Sequence, residues 1–288
     1  FSPAFREEET EELAKYCDHV IFNSPAQAKK FAHFFRARNI SCGLRVNPER
    51  STQQGHAQYD PCAPCSRLGT TILEFDESVL PLLDGLHMHT LCEQNSDALE
   101  ETVEALEEKF GKYLSRLRWL NLGGGHHITR GDYDIPRLVS LLVRLRERYG
   151  LQIYLEPGEA VVLNAGTLVS RVLDIVQNGM DIAILDASAA CHMPDVLEMP
   201  YRPPVRNGGA PNEKKYTYRL AGPTCLAGDI IGDYSFDAPL CCGDEIVFED
   251  MALYTMVKTN TFNGMPLPAI ALKKEDGSIR VLKTFSYE

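Results

Sequence analysis

The chain has 288 residues, 44% of them hydrophobic and 24% charged, a soluble globular composition with room for one large domain or two ordinary ones. Its formal charge of −11, from 40 acidic against 29 basic residues, disfavours nucleic acid and anionic membrane as partners and favours a cationic ligand. No apolar run reaches the roughly 20 residues that span a bilayer, no secretory leader pattern is present, and nine cysteines in such a chain read as reduced thiols of a cytoplasmic protein.

From the N-terminal side, Glu7 to Cys17 reads as a helix with acids crowding its first turn, and Asp18-His-Val-Ile-Phe-Asn23 as a short strand. Ser24-Pro25-Ala26-Gln27 combines an N-cap, a first-turn proline and a capping-box glutamine, so a helix carrying Phe31, Phe34 and Phe35 follows. Ser41 to Asn47 is a second strand, stopped by Pro48. Glu49 to Gly69 is polar, turn-forming and without period, as expected of a long loop over a site. It holds Cys62-Ala-Pro-Cys65, but structural zinc takes four ligands and no second pair follows at finger spacing, so no metal is assigned.

Asp84 to Glu93 contains a third strand whose His87 and His89 share one face by period two. Leu99, Val103, Leu106, Phe110, Leu114 and Leu117 form the stripe of an amphipathic helix over about 97–117. A strand over 118–122 runs into Gly123-Gly124-Gly125. Asp134 and Pro136 start another helix, with Leu138, Leu141, Leu142 and Leu145 inward and Gly150 at its end. Leu151 to Glu156 is then a buried strand, through Ile153 and Leu155, that stops in Glu156-Pro157-Gly158-Glu159. Five strands alternating with helices imply a parallel sheet. Beyond residue 160 the pattern changes: strands over 160–176, 181–186, 216–221, 245–248, 270–273 and 279–285 follow one another without long helices, as in a β-sandwich or barrel. The domains expected are therefore 1–160 and 161–288.

His89, the glycine triplet and Glu156 each follow a strand, and parallel strand ends converge on one face. The glycines offer unhindered backbone N–H groups of the kind that hold phosphate, although the spacing is neither a dinucleotide fingerprint nor a P-loop. An imidazole to stack on a ring, a carboxylate to keep a ring nitrogen protonated and a phosphate cradle together suit pyridoxal 5′-phosphate.

Gly85-Leu-His-Met-His-Thr-Leu-Cys-Glu93, Asn121-Leu-Gly-Gly-Gly125, Glu156-Pro-Gly-Glu159, Gly222-Pro-Thr-Cys225 with Asp229, and Tyr254 with Phe262-Asn-Gly264 occur in an order that resembles the fold-type III, alanine-racemase-like decarboxylases. His89-Thr-Leu-Cys-Glu93, Glu159 and Leu185-Asp-Ala-Ser-Ala-Ala-Cys-His-Met-Pro-Asp195 point to the carboxynorspermidine (carboxyspermidine) decarboxylase branch. The resemblance covers essentially the whole chain. It implies an α/β fold with a (β/α)8 barrel, of which strands 4 to 8 are present, a C-terminal β domain, and a homodimer sharing its active sites. It also implies roles: His89 against the pyridine ring, Gly123, Gly124, Gly125, Gly158 and Tyr254 at the phosphate, Glu156 at the ring nitrogen, and Cys225 as proton donor from the partner subunit. Glu159, Asp195 and Asp229 would meet the substrate.

Glu159 stands where the ornithine and diaminopimelate branches have arginine, and Leu226-Ala227 replace an acidic residue after the active-site cysteine. The exchange suits a substrate with several amines, so decarboxylation of carboxynorspermidine or carboxyspermidine in polyamine biosynthesis is the expected activity. A diaminopimelate or other diamino-acid decarboxylase is the alternative. No lysine occupies a strand end where the family carries its cofactor-bearing lysine. At roughly 30 residues per βα unit, about 90 residues with three strands are expected ahead of Phe1 in a complete barrel. The missing lysine favours a further alternative, a non-catalytic relative that keeps the fold and regulates another protein.

Overall fold

The computed structural model describes residues 1–53 and 57–286; residues 54–56 of the loop expected over Glu49 to Gly69 lie outside the described residues. The chain divides into two compact units, Phe1–Val161 and Val162–Glu288.

In the first unit, strands β1 (His19–Phe22), β2 (Ser41–Arg45), β3 (Gly85–His87), β4 (Trp119–Asn121) and β5 (Gln152–Tyr154) pair in that order, every pair parallel. The single helix expected over Glu7 to Cys17 is instead a 3-10 turn, Glu7–Glu9, followed by the four-residue α1 (Thr10–Leu13). Only Thr10 is buried in it, and a segment with so little apolar face gains too little from packing to propagate a longer helix. The other helices follow their end signals. Ser24 caps α2 (Pro25–Arg36) by accepting from Gln27 N–H at 3.3 Å. Asn95 caps α3 (Ser96–Leu114), and Asp134 caps α4 (Ile135–Tyr149) by accepting from Arg137 N–H. Gly150 ends α4 at φ +70°, a left-handed conformation that costs glycine little.

The sheet has two different faces. On one, Phe22, Cys42, Leu44, Leu86 and Leu120 join Phe35 of α2, Leu106 and Phe110 of α3 and Leu141 of α4 in a single core. On the other, the Trp119 ring lies across two glycines. A Cβ on Gly43 would come within 2.2 Å of that ring, and one on Gly85 within 2.0 Å. The indole N–H donates to Ser41 Oγ at 2.9 Å, which fixes the ring over the strands. The expected burial of Ile153 and Leu155 is only partial, because β5 pairs with β4 alone and is an edge strand here.

The strand expected from Ala160 to Val176 begins instead with a helical turn, α5 (Gly158–Val162), and β6 is Leu168–Gln177. Pro157 presets a helical φ, Glu159 lies in the first turn, and Asn164 at φ +59° closes the segment.

The second unit contains a five-stranded sheet in the order β10-β6-β7-β8-β9, with β7 (Asp181–Leu185), β8 (Tyr216–Ala221), β9 (Ile230–Phe236) and β10 (Glu245–Phe248). All its pairs are antiparallel except β7 with β8. The connection between those two carries α6 (Ala189–His192) and α7 (Asp195–Glu198); α8 (Tyr254–Lys258) follows β10. A separate antiparallel pair, β11 (Ile270–Lys273) and β12 (Ile279–Lys283), completes it. Strand β9 was not expected, since Gly232 interrupts its apolar alternation. Its Ile231, Tyr234 and Phe236 nevertheless bury into the core of this unit.

Candidate active site

Parallel register builds the site. It sets Arg45 beside His87, His87 beside Asn121, and Asn121 beside Tyr154. By period two, Arg45, His87 and Asn121 point to the face where Trp119 covers the glycines, and so does Glu156, two residues beyond Tyr154. The sheet therefore ends in a polar row, in place of the apolar layer found on its other face.

Within the row, Asn121 and Glu156 are joined directly. Asn121 Nδ2 donates to Glu156 Oε1 at 2.7 Å, while its Oδ1 accepts from Gly123 N–H at 2.8 Å. One amide thus orients the carboxylate and pins the glycine turn. Glu156 keeps a side chain 48% exposed, with its other oxygen 3.8 Å from His87 Nε2. Arg45, 5% exposed, donates from Nη2 to the His89 carbonyl at 3.1 Å. Burial pushes its guanidinium down to about 10. The His87 ring is buried, and among the described residues neither of its nitrogens has a hydrogen-bond partner. Burial foremost, then the neighbouring Arg45 charge, pushes its imidazole down to about 2. The same two causes in the same order push His89 down to about 4, against the opposing pull of Glu156. His89 Nδ1 accepts from Gly124 N–H at 3.3 Å, which leaves the ring proton on Nε2.

The glycine triplet has a packing reason of its own. A Cβ on Gly123 would sit 2.5 Å from the Met88 carbonyl, one on Gly124 2.6 Å from the Glu156 carbonyl, and one on Gly125 2.1 Å from the Leu91 carbonyl. Gly123 and Gly125 also have φ of +72° and +81°. Two of the three N–H groups expected for a phosphate are already given to Asn121 and His89. At Gly158, by contrast, a Cβ would meet nothing within 4 Å, so that backbone faces open space.

These residues fit pyridoxal 5′-phosphate. The His89 imidazole is neutral and only partly buried, Glu156 is exposed and oriented by Asn121, Gly158 faces open space, and unsatisfied polar nitrogens of His87 lie beside the carboxylate. None of β1 to β5 contains a lysine.

A second cluster lies beside the first. Glu93, His127 and Glu159 bring one carboxylate or ring atom each to within 4.8 Å of the others, as His87, His89 and Glu156 also do. Backbone bonds from Gln94 N–H to the Gly125 carbonyl (3.0 Å) and from His127 N–H to the Gln94 carbonyl (3.3 Å) tie the ends of β3 and β4 together there.

The remaining candidates lie in the second unit. Asp229 is 2% exposed, and its two oxygens accept from Ser188 Oγ (3.0 Å), Ala190 N–H (3.3 Å), Thr224 Oγ1 (2.7 Å) and Thr224 N–H (3.4 Å). In this structure it anchors the loop that presents Cys225. Cys225 is exposed, with its N–H donated to Asn263 Oδ1 at 2.9 Å. Tyr254 begins α8 and is half-exposed. Asp195, 8% exposed, takes Lys258 Nζ at 2.5 Å, and the same ammonium reaches Glu198 at 2.9 Å.

Sequence reading gave no role at the site to Arg45, His87, Asn121, Glu93 or His127. A usable signal existed for Arg45, a cation between Leu44 and Val46 in a strand that is otherwise apolar. Cys62 is pushed up to about 11 by burial and joins no metal-ligating cluster among the described residues.

A family model for the "Pyridoxal-dependent decarboxylase, C-terminal sheet domain" matches residues 17–252. The carboxynorspermidine/carboxyspermidine decarboxylase of Campylobacter jejuni is 44% identical over 299 residues, covering 100% of this chain and 78% of the relative. The carboxyaminopropylagmatine decarboxylase of Synechocystis is 40% identical over 290 residues, with 100% and 75% covered. The crystal structure of the Campylobacter jejuni carboxynorspermidine decarboxylase with norspermidine superposes with a TM-score of 0.90 at 43% identity, over 99% of this chain and 77% of that one. A diaminopimelate decarboxylase shares the fold at a TM-score of 0.81 and 19% identity.

Proposed function

This chain belongs to the pyridoxal-dependent decarboxylases, and we propose that it removes the α-carboxyl group of a carboxylated polyamine, releasing norspermidine from carboxynorspermidine or spermidine from carboxyspermidine. What carries the reading is a likeness, over the whole of this chain and 78% of the relative, to an enzyme of that activity in a chain whose His89, Glu156 and glycine turn converge at adjacent strand ends. Pyridoxal 5′-phosphate, when bound, supplies the electron sink into which the carbon–carboxyl bond breaks.

The chain's own residues do the rest. Asn121 aims the Glu156 carboxylate, which would hold the proton on the pyridine nitrogen. Burial foremost, then the Arg45 charge, keeps His87 and His89 neutral, so neither imidazole competes with that proton for Glu156. His89 would pack on the ring face. Gly158 N–H, with the turn at Gly123, Gly124 and Gly125, would receive the phosphate. The assignments of the Tyr254 hydroxyl to the phosphate and of Asp195 to a substrate amine follow the resemblance, and Asp195 would exchange Lys258 for that amine. Cys225 of the partner subunit would return a proton to the α-carbon once carbon dioxide has left. A cytoplasmic homodimer fits the exposed apolar side chains Leu226, Tyr254, Met256, Val257 and Phe262 near Cys225 and Tyr254 in the sequence.

The test is carbon dioxide release from carboxynorspermidine, carboxyspermidine, carboxyaminopropylagmatine and diaminopimelate. We expect kcat/KM for the carboxylated triamines to exceed that for diaminopimelate at least about tenfold, the worth of one charge-assisted hydrogen bond. A preference for carboxyaminopropylagmatine would move the chain beside its 40%-identical relative. A preference for diaminopimelate would overturn the polyamine reading.

A further inference from the structure

The motif Phe262-Asn-Gly264 has no role in the chemistry above, but it touches a residue that does. Cys225 lies in the turn 222–229 between the antiparallel strands β8 and β9. Asp229 closes the base of that turn: Gly222 N–H donates to its carbonyl at 2.8 Å, and Thr224 donates to its carboxylate from Oγ1 and N–H. Cys225, one position on, sends its N–H across 38 positions of sequence to Asn263 Oδ1 at 2.9 Å.

Asn263 is itself fixed. Its backbone stands in the left-handed region, at φ +58° and ψ +23°, which asparagine tolerates better than most residues with a Cβ. Phe262 N–H donates to Asn260 Oδ1 at 2.9 Å. Asn260 binds α6 twice, from Nδ2 to the Ala190 carbonyl (2.9 Å) and from N–H to the Cys191 carbonyl (3.0 Å). His192 Nδ1 accepts from Ser188 N–H at 3.1 Å, so Nε2 carries the ring proton and donates to the Pro266 carbonyl at 3.0 Å. Ser188, which caps α6, and Ala190 both donate to Asp229. The hydrogen bonds thus close a ring: from Asp229 through α6 and the 260–266 turn to Asn263, then to Cys225 and back through Thr224.

From this ring, and resting on the proton return proposed above for Cys225, we infer that Asn263 is a positioning residue that sets where the Cys225 thiol delivers its proton. When carbon dioxide leaves, the electron pair left behind is shared between the α-carbon and the cofactor carbon bonded to the substrate nitrogen. Delivery to the α-carbon breaks the S–H bond, forms a C–H bond and gives the amine with the cofactor intact; the thiolate regains its proton from water. Delivery of a solvent proton to the cofactor carbon has another end. Water then splits the bond between the α-carbon and nitrogen, leaving an aldehyde and pyridoxamine phosphate. The first outcome needs the thiol within hydrogen-bond reach of the α-carbon at the moment the pair is free. The thiol turns about its own bonds, whereas the backbone that carries it is placed by Asn263.

The experiment counts pyridoxamine phosphate formed per carbon dioxide released in a single turnover of the cofactor-loaded protein with carboxynorspermidine. Hydrogen exchange over residues 222–229 is followed in the same proteins. Asn263→Gly keeps the left-handed backbone and removes the acceptor; Asn263→Asp keeps both. Asn263→Gly should raise the ratio roughly two- to tenfold, the worth of one neutral hydrogen bond, and speed exchange in the turn. Asn263→Asp should stay at the wild-type ratio. Adding Asn263→Gly to Cys225→Ala should raise the ratio no further, since the amide acts through the thiol. A wild-type ratio in Asn263→Gly, or a further rise in the double variant, would overturn the inference and leave the polyamine reading intact. An unchanged ratio in Cys225→Ala overturns the proton role of Cys225 and the inference with it. Wild-type protein that releases no carbon dioxide from carboxynorspermidine overturns the polyamine reading as well.

Discussion

The two units place reactive side chains by different means. In Phe1–Val161 the backbone ladder does it: four parallel pairings bring Arg45, His87 and Asn121 level, and Glu156 follows from the pleat. In Val162–Glu288 the side chains of interest stand on loops and short helices, where no ladder reaches them. A buried carboxylate, Asp229, collects the loop ends through four hydrogen bonds. A sheet can carry a polar row cheaply because its backbone groups are already satisfied. A loop needs an internal acceptor to reach comparable order.

That contrast can be broken most forcefully at Gly85. A methyl group there would enter the Trp119 ring, which lies too close on a rigid strand to move aside, so Gly85→Ala should cost about 3 kcal/mol. The chain has a single tryptophan, and its fluorescence during urea unfolding reads this unit alone. A midpoint unchanged from wild type would show that Trp119 does not close that face of the sheet.

Asp229→Ala makes the complementary cut, leaving Ser188 Oγ, Thr224 Oγ1 and two backbone N–H groups without their acceptor. The expected local cost is about 2 kcal/mol, seen as faster thiol labelling of Cys191, which is buried in this structure. The Trp119 transition is the internal control. If Cys191 labels no faster, the loop is held by something other than Asp229.

The smallest effect concerns charge. The neutral His87 ring refuses a proton in the fold down to about pH 2, since burial foremost, then Arg45 and His89, oppose it. The unfolded chain accepts one near pH 6.5. Above that value both states are neutral and His87 gives no slope. Below it the unfolded state binds the extra proton, so stability is lost as the pH is lowered, by at most about 1.4 kcal/mol per unit for this site. His87→Asn should remove one proton from the slope measured by urea unfolding between pH 6.5 and 5. An unchanged slope would mean that His87 titrates normally in the folded protein.

Much of the first unit was legible because its signals are local. Ser24 and Asp134 mark helix starts, and Gly150 marks an end, through hydrogen bonds to residues within four positions. The stripe from Leu99 to Leu117 is buried as its spacing requires. The second unit was less legible. Strand β9 hid behind Gly232, and the turn of α5 lay within a run that alternates like a strand.

Sequence alone determined the five strands of the first unit and the longer helices between them, with the apolar face of each, because helical and strand periodicity are properties of consecutive residues. It also determined that His89, Gly123 to Gly125 and Glu156 each end a strand. Tertiary structure decided which strand ends become neighbours, and with that which side chains share a charge. The pairing of Asn121 with Glu156, the unmet nitrogens of His87 and the meeting of Glu93, His127 and Glu159 depend on register across separate strands. Register is a long-range quantity: shifting one strand by a single residue would turn each of these side chains to the opposite face and leave every local signal unchanged.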